Sequence, residues 1–130
     1  MKTLKTTAEI GAYGERLAVR YLRLRGYAIR ARNWRTGHLE LDVVAETLRD
    51  LAFVEVKTRT YRKIDGFSKP PSSAVDADKR KMTRQAAQRY LSRYPTKKQP
   101  RMDVIEVWLA KDDGARPPRV LKIHHMKAAY

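Results

Sequence analysis

Residues 39–46 and 51–58 are two short runs whose apolar side chains fall on both alternating faces, with Val43, Val44, Phe53, Val54 and Val56 at successive as well as alternate positions. Side chains alternate up and down along a strand, so strands of this kind have no wet face. The sheet that holds them must be covered on each side, and helices are the expected cover. The polar segment Glu46-Thr47-Leu48-Arg49-Asp50 between the runs has hairpin length. With the turn placed between Leu48 and Arg49, Asp42 falls opposite Glu55 and Glu40 opposite Lys57, and directly paired residues share a face. All four then gather at one end of the hairpin, on the face that carries Val44 and Phe53 farther along. A slip of one residue would scatter them.

Two helical patterns supply the cover. Over residues 7–25, Ile10, Tyr13, Leu17, Tyr21 and Leu24 recur at three- and four-residue steps with Ala18 beside them. Thr6 or Thr7 suits the start and Gly26 the stop. Over residues 75–94, Met82, Ala86 and Tyr90, with Ala87 and Leu91, make an apolar side, Asp76 is placed to cap, and Pro95 ends the pattern. Strands are expected at 27–34, 102–110 and 119–124, and residues 59–74, rich in Arg, Lys, Gly, Pro and Ser, read as a basic loop. The order helix, three strands, helix, one or two strands predicts an α/β fold, a central mixed sheet flanked by helices, in one domain over residues 1–130 with its core at about 7–124.

Lys and Arg number 29 against 14 acids, a net charge of +15 and a pI near 10.4. Such a field attracts polyanions and releases counterions from a phosphate backbone, so nucleic acid is the leading partner, ahead of anionic lipid. There is no cysteine, which excludes disulfides, thiolate metal sites and a Cys nucleophile. No run approaches the length of a membrane span, and no apolar run follows the lysines of the first ten residues. A soluble, cytoplasmic protein that does not engage a membrane is expected.

Isolated charges in buried strands are costly unless paired or bound to metal. One reading of the hairpin is therefore simple ion pairing, Glu40 and Glu55 with Lys57. The other is chemical. Asp42 and Glu55, a few ångströms apart, make a hard-oxygen site suited to Mg²⁺ or Mn²⁺. A cation there would hold a phosphate oxygen and acidify a bound water, and Lys57 would orient that water or stabilise developing charge. Arg59, Tyr61, Arg62 and Lys63 in the loop, and Lys79, Arg80 and Arg84 on the second helix, would hold the nucleic acid. Tyr61, among cations, is the best candidate to stack on a base, whereas Trp34 and Phe67 read as packing residues. His38 reads as a solvated turn residue, His124 and His125 have no acid partner within sequence reach, and Asp103 reads as structural.

Asp42, a spacer of twelve residues and Glu55-Val56-Lys57 resemble the Asp…Glu-x-Lys signature of the restriction-endonuclease-like nucleases. A longer ordered series agrees: Gly11-x-x-Gly14-Glu15-x-x-Ala18-x-x-Tyr21-Leu22, Asn33, Gly37, Glu40-Leu41-Asp42, Phe53 to Arg59, Ala74-Val75, Lys79, Ala87, Tyr90-Leu91 and Arg101-Met102-Asp103-Val104. Together these resemble the YraN family of uncharacterised bacterial proteins, regarded as distant relatives of archaeal Holliday junction resolvases. The resemblance covers roughly residues 10–108 and departs from the family at Leu39, where Gly is usual, and at Met102, where Phe is usual.

The resemblance implies a restriction-endonuclease-like αβββαβ core. It also implies a catalytic and metal-binding role for Glu15 as the first-helix acid beside Asp42, Glu55 and Lys57, with Gln85 or Gln88 as a loose match to a second-helix glutamine. The implied activity is Mg²⁺-dependent endonucleolytic hydrolysis of DNA phosphodiesters, branched DNA included. A junction-cutting enzyme would be expected to act as a homodimer, since two symmetric strands are cut. Two other functions fit the residues: a DNA- or RNA-binding module without catalysis, motivated by charge alone, and a protein-interaction module in which the acids only pair with cations.

Overall fold

The computed structural model describes residues 6–61, 77–110 and 118–130. Among them the order is α1 (Thr7–Leu24), β1 (Ala28–Thr36), β2 (Leu39–Glu46), β3 (Asp50–Tyr61), α2 (Ala77–Arg93), β4 (Gln99–Ala110) and β5 (Val120–Met126). The strands form one mixed sheet in sequence order. β1, β2 and β3 are antiparallel neighbours, β4 lies parallel to β3, and β5 returns antiparallel to β4. The parallel step is the one that contains α2, as parallel neighbours require a crossover.

The doubly buried sheet follows from the two-faced apolar strands. On one side Ala18, Val19 and Leu22 of α1 pack on Val43, Ala45, Ala52, Val54, Ile105 and Val107. On the other, Ala86, Ala87 and Tyr90 of α2 pack on Leu39, Leu41, Val44, Leu51 and Phe53. α1 begins with a reciprocal cap: Thr6 Oγ1 accepts the Glu9 amide at 3.0 Å and Glu9 Oε1 accepts the Thr6 amide at 3.3 Å. Past its end, Gly26 takes φ 86°, a left-handed conformation that favours glycine.

Several boundaries differ from the sequence expectation. β3 runs on to Tyr61, so Arg59, Thr60 and Tyr61 lie in a strand and not in the basic loop; β4 pairs with it as far as Tyr61–Ala110, and the Tyr61 ring packs on Trp108 with centroids 4.9 Å apart. β4 starts earlier than expected, at Gln99, opposite Asp50. On α2 the inward stripe is Thr83, Ala86, Ala87 and Tyr90, which turns Met82 outward at 40% exposure. Positions 82 and 83 differ by about 100° of helix rotation, and this charge-rich helix carries too few apolar residues to set its own phase. Asp76, the expected cap, lies outside the described residues.

Gly14 sets how closely α1 approaches the sheet. A Cβ there would sit 1.8 Å from Thr58 Oγ1 and 2.9 Å from Thr58 Cβ, whereas at Gly11 it would meet nothing within 4 Å. The helix therefore rests on β3 by the face next to Glu15. Gly14→Ala should lower stability by roughly 1–3 kcal/mol through overpacking. Gly11→Ala should raise it by about 0.5–1 kcal/mol through helix propensity. Thermal and urea unfolding of the two variants checks the pair.

Candidate metal and nucleic-acid site

β2 and β3 pair in the register expected from the sequence, from Glu46–Leu51 to Val43–Val54. There the ladder stops, although both strands continue. β2 runs on to Leu39 against β1, and β3 runs on to Tyr61 against β4. The sheet forks. Asp42 stands in the fork, and its Oδ2 accepts the backbone N–H of Val56 at 3.0 Å, so a side chain serves the amide where the neighbouring strand has turned away. The facing of β2 changes phase at the same residue. Leu41 packs in the α2-side core and Val43, two residues on, in the α1-side core.

Glu55, the next residue of β3 beyond the last pair, is only 6% exposed. Burial pushes its carboxyl up to about 7; the Asp42 charge adds to the rise, and Lys79 and Lys57 oppose it. Lys79 Nζ of α2 lies 3.5 Å from Glu55 Oε1. Glu15 reaches the fork from α1. Its carboxyl is also raised, first by burial and then by Asp42, while a hydrogen bond with Asn33 lowers it. Glu15 Oε1 is buried without a hydrogen-bond partner. Asn33 sits at φ 49°, a left-handed conformation that asparagine tolerates better than most residues. An open cleft of about 510 Å³ borders Glu15, with Arg16, Arg32, Asn33 and Arg35 on its wall.

Glu15, Asp42 and Glu55 thus come from three elements into one electrostatic neighbourhood, with Asp42 between the other two. Among the described residues no three His, Cys, Asp or Glu stand close enough together to form a ready-made metal cage. The donor set still fits a hard cation. Mg²⁺ keeps several waters and needs only one or two carboxylates. Here the Asp42 charge opposes ionisation of Glu55, and Glu15, with one orphaned oxygen, feels the same charge.

The other expected site residues are distributed unevenly. Lys57 follows Glu55 on the same face of β3 and lies beside Glu106 of β4. Glu40, expected opposite Lys57, is instead aligned with Arg35 of β1, whose Nε is 3.7 Å from its carboxylate. Gln85 and Gln88 are exposed on α2, and the α2 side chain that meets Glu55 is Lys79. Arg80 and Arg84 both face the ring of Tyr130. Arg59 is half-buried in β3, and Tyr61, expected to stack on a base, packs on Trp108. Arg62, Lys63 and Phe67 lie outside the described residues. Trp34 packs edge-on against Tyr90, as expected of a core residue, and His38 is exposed.

The histidine pair has acid partners after all, brought from β4 by sheet pairing. His125 Nε2 is 2.7 Å from Asp103 Oδ2, and His124 Nδ1 is 3.6 Å from Glu106. Asp103 is fully buried and also holds Arg101 through two 2.8 Å bonds and the Ala128 amide at 3.0 Å. That network ties β4, β5 and, through Arg101, Asp50 and Tyr27. Glu106, 6% exposed with Oε2 unpartnered, is the acid the sequence reading missed. The signal was present: it is an acid inside the apolar run Val104-Ile105-Glu106-Val107, the argument already applied to Glu55.

The model of the uncharacterised protein family UPF0102 matches residues 14–107, which include Glu15, Asp42, Glu55, Lys57 and Glu106. A UPF0102 protein of Bacteroides thetaiotaomicron is 44% identical over 122 residues, covering 94% of this chain and 92% of its own. One of Porphyromonas gingivalis is 42% identical over 120 residues, covering 92% and 82%. One of Mycolicibacterium vanbaalenii is 39% identical over 128 residues, covering 98% of each.

The raised Glu55 carboxyl fixes a pH dependence. The unfolded chain ionises this group near 4.5 and the folded chain near 7, so between those values the unfolded state loses its proton first. Stability falls as pH rises through that window, and the full penalty stands above it. Glu55→Gln should therefore be more stable than the parent at pH 8, by on the order of 1–3 kcal/mol. The difference should shrink toward zero at pH 4, as urea unfolding at both values would show.

Proposed function

We propose that this chain, which belongs to the UPF0102 family, also called YraN, binds nucleic acid and hydrolyses DNA phosphodiesters with a divalent cation at Asp42 and Glu55. The observation that carries the reading is the fork. Two carboxylates are held together at the one place where the central strands part, with Lys57 two residues on, in a protein of net charge +15.

Asp42, Glu55 and Glu15 are the residues that would hold Mg²⁺ or Mn²⁺. When bound, the cation supplies a polarised phosphate oxygen and a water of lowered pKa. The chain's own residues do the rest. The Val56 amide fixes one Asp42 oxygen and so holds the carboxylate beside Glu55. Lys57, on the Glu55 face, places positive charge where the leaving and attacking oxygens gain negative charge. Lys79 balances Glu55 in the structure and would serve a phosphate once a cation takes over that balance. Arg80 and Arg84 continue the positive face along α2.

A second reading, a nucleic-acid-binding protein without turnover, is favoured by one observation: the three acids do not stand as a ready-made cage. The two readings separate on labelled four-way junction, flap, single-stranded and linear DNA incubated with Mg²⁺ or Mn²⁺. The nuclease reading expects cleavage that falls at least about a hundredfold in Asp42→Asn, Glu55→Gln and Lys57→Ala, with binding retained. Binding of every substrate with cleavage of none would select the second reading. Failure to bind at low salt would remove both and leave a protein-interaction module.

A further inference from the structure

Arg80 and Arg84 lie one turn apart on α2, and both guanidinium groups stand 5.3 Å from the centre of the Tyr130 ring. Lys79, next to Arg80, is the residue paired with Glu55. The Tyr130 hydroxyl is itself close enough to Glu55 to feel that carboxylate's charge. The ring therefore occupies ground beside the fork, on the same face of the sheet. Arg80 Nε is buried there without a hydrogen-bond partner, and so is the Tyr130 hydroxyl, so the ring sits beside this donor without satisfying it.

The way Tyr130 is delivered matters. Ala128 takes φ 49°, its amide is held by Asp103 Oδ1 at 3.0 Å, and the Ala129 amide is held by the Met102 carbonyl at 2.7 Å. The backbone is anchored up to the residue before the ring. Tyr130 can leave the arginines by rotations of its own, with β5 intact.

We propose that Arg80 and Arg84 form a stacking subsite for an unpaired nucleobase, and that Tyr130 fills it until a nucleic-acid strand displaces the ring. A base offers the same flat π face to the two guanidiniums and adds acceptor atoms for Arg80 Nε. Its phosphate adds a charge that the tyrosine side chain lacks. A base in a duplex has both faces stacked, so the subsite selects single-stranded or splayed nucleic acid over paired duplex. The inference rests on the nucleic-acid-binding part of the preceding proposal and on none of its catalysis.

The test is binding in EDTA, so that it stands or falls apart from cleavage. Fluorescence anisotropy would compare a single-stranded oligonucleotide, the same strand made abasic, and a duplex, for the parent chain, Tyr130→Ala, Tyr130→Phe and Arg80→Ala/Arg84→Ala. Tyr130→Ala should bind the base-containing strand roughly fivefold tighter, the worth of the ring contacts it removes. The abasic strand and the duplex should change less than about twofold, and Tyr130→Phe should match the parent. The double arginine variant should lose the preference for the base-containing over the abasic strand. Equal changes on base-containing and abasic strands, or none, would overturn the subsite. Should Tyr130→Ala unfold, ¹⁹F-tyrosine spectra of the parent chain decide: the Tyr130 signal moves to its solvent position on adding the base-containing strand only, and a signal that stays put overturns the proposal.

Discussion

The hydrogen bond from the Val56 amide to the Asp42 carboxylate, across the point where β2 and β3 part, is the contact on which the candidate site depends. A backbone N–H at the centre of a sheet needs an acceptor, and here the neighbouring strand has turned away to follow β1. A side-chain oxygen of the right length completes the ladder and is thereby fixed against β3. Glu55 follows as the residue next to Val56. Glu15 follows because Gly14 lets α1 lie against Thr58. The geometry of three acids from three elements thus traces to one departed strand and one missing Cβ.

The same arrangement is electrostatically unfavourable by itself. Burial raises both Glu15 and Glu55, the Asp42 charge raises them further, and the rise is opposed by Lys79 and Lys57 at Glu55 and by Asn33 and Arg32 at Glu15. Elsewhere the chain handles buried acids differently. Asp103 meets Arg101, His125 and the Ala128 amide, and its carboxyl is held below the ordinary range by those bonds. Asp103 is saturated with donors, whereas Glu15 keeps one buried oxygen without a hydrogen-bond partner.

Much of this was legible in the sequence because it depends on alternation and local spacing. The two-faced apolar strands required helices on both sides, and Val43, Val44, Phe53 and Val54 fixed the register that places Asp42 next to Glu55. The fork was not legible. It depends on β1, which carries a bulge between Ile29 and Ala31, and on β4, which keeps β3 extended through Arg59 and Thr60 in spite of their polarity. The expected pairing of Glu40 with Lys57 is absent for that reason; Glu40 aligns with Arg35 and its charge reaches Glu15. Contacts that join distant segments, such as Lys79 with Glu55, His124 with Glu106 and Arg80 with Tyr130, leave no periodic trace. Met82 shows the limit of a weak stripe: with charges at most positions of α2, only the packed partner could tell 82 from 83.

The central claim is that the acids at the fork form one cation site. The most direct measurement is titration with Mn²⁺ while following amide resonances, since a bound paramagnetic ion broadens signals near it. The account predicts saturable broadening confined to the surroundings of Glu15, Asp42 and residues 55–57, competed by Mg²⁺ and lost in Asp42→Asn. Broadening that never saturates, or that centres on another part of the chain, would contradict it.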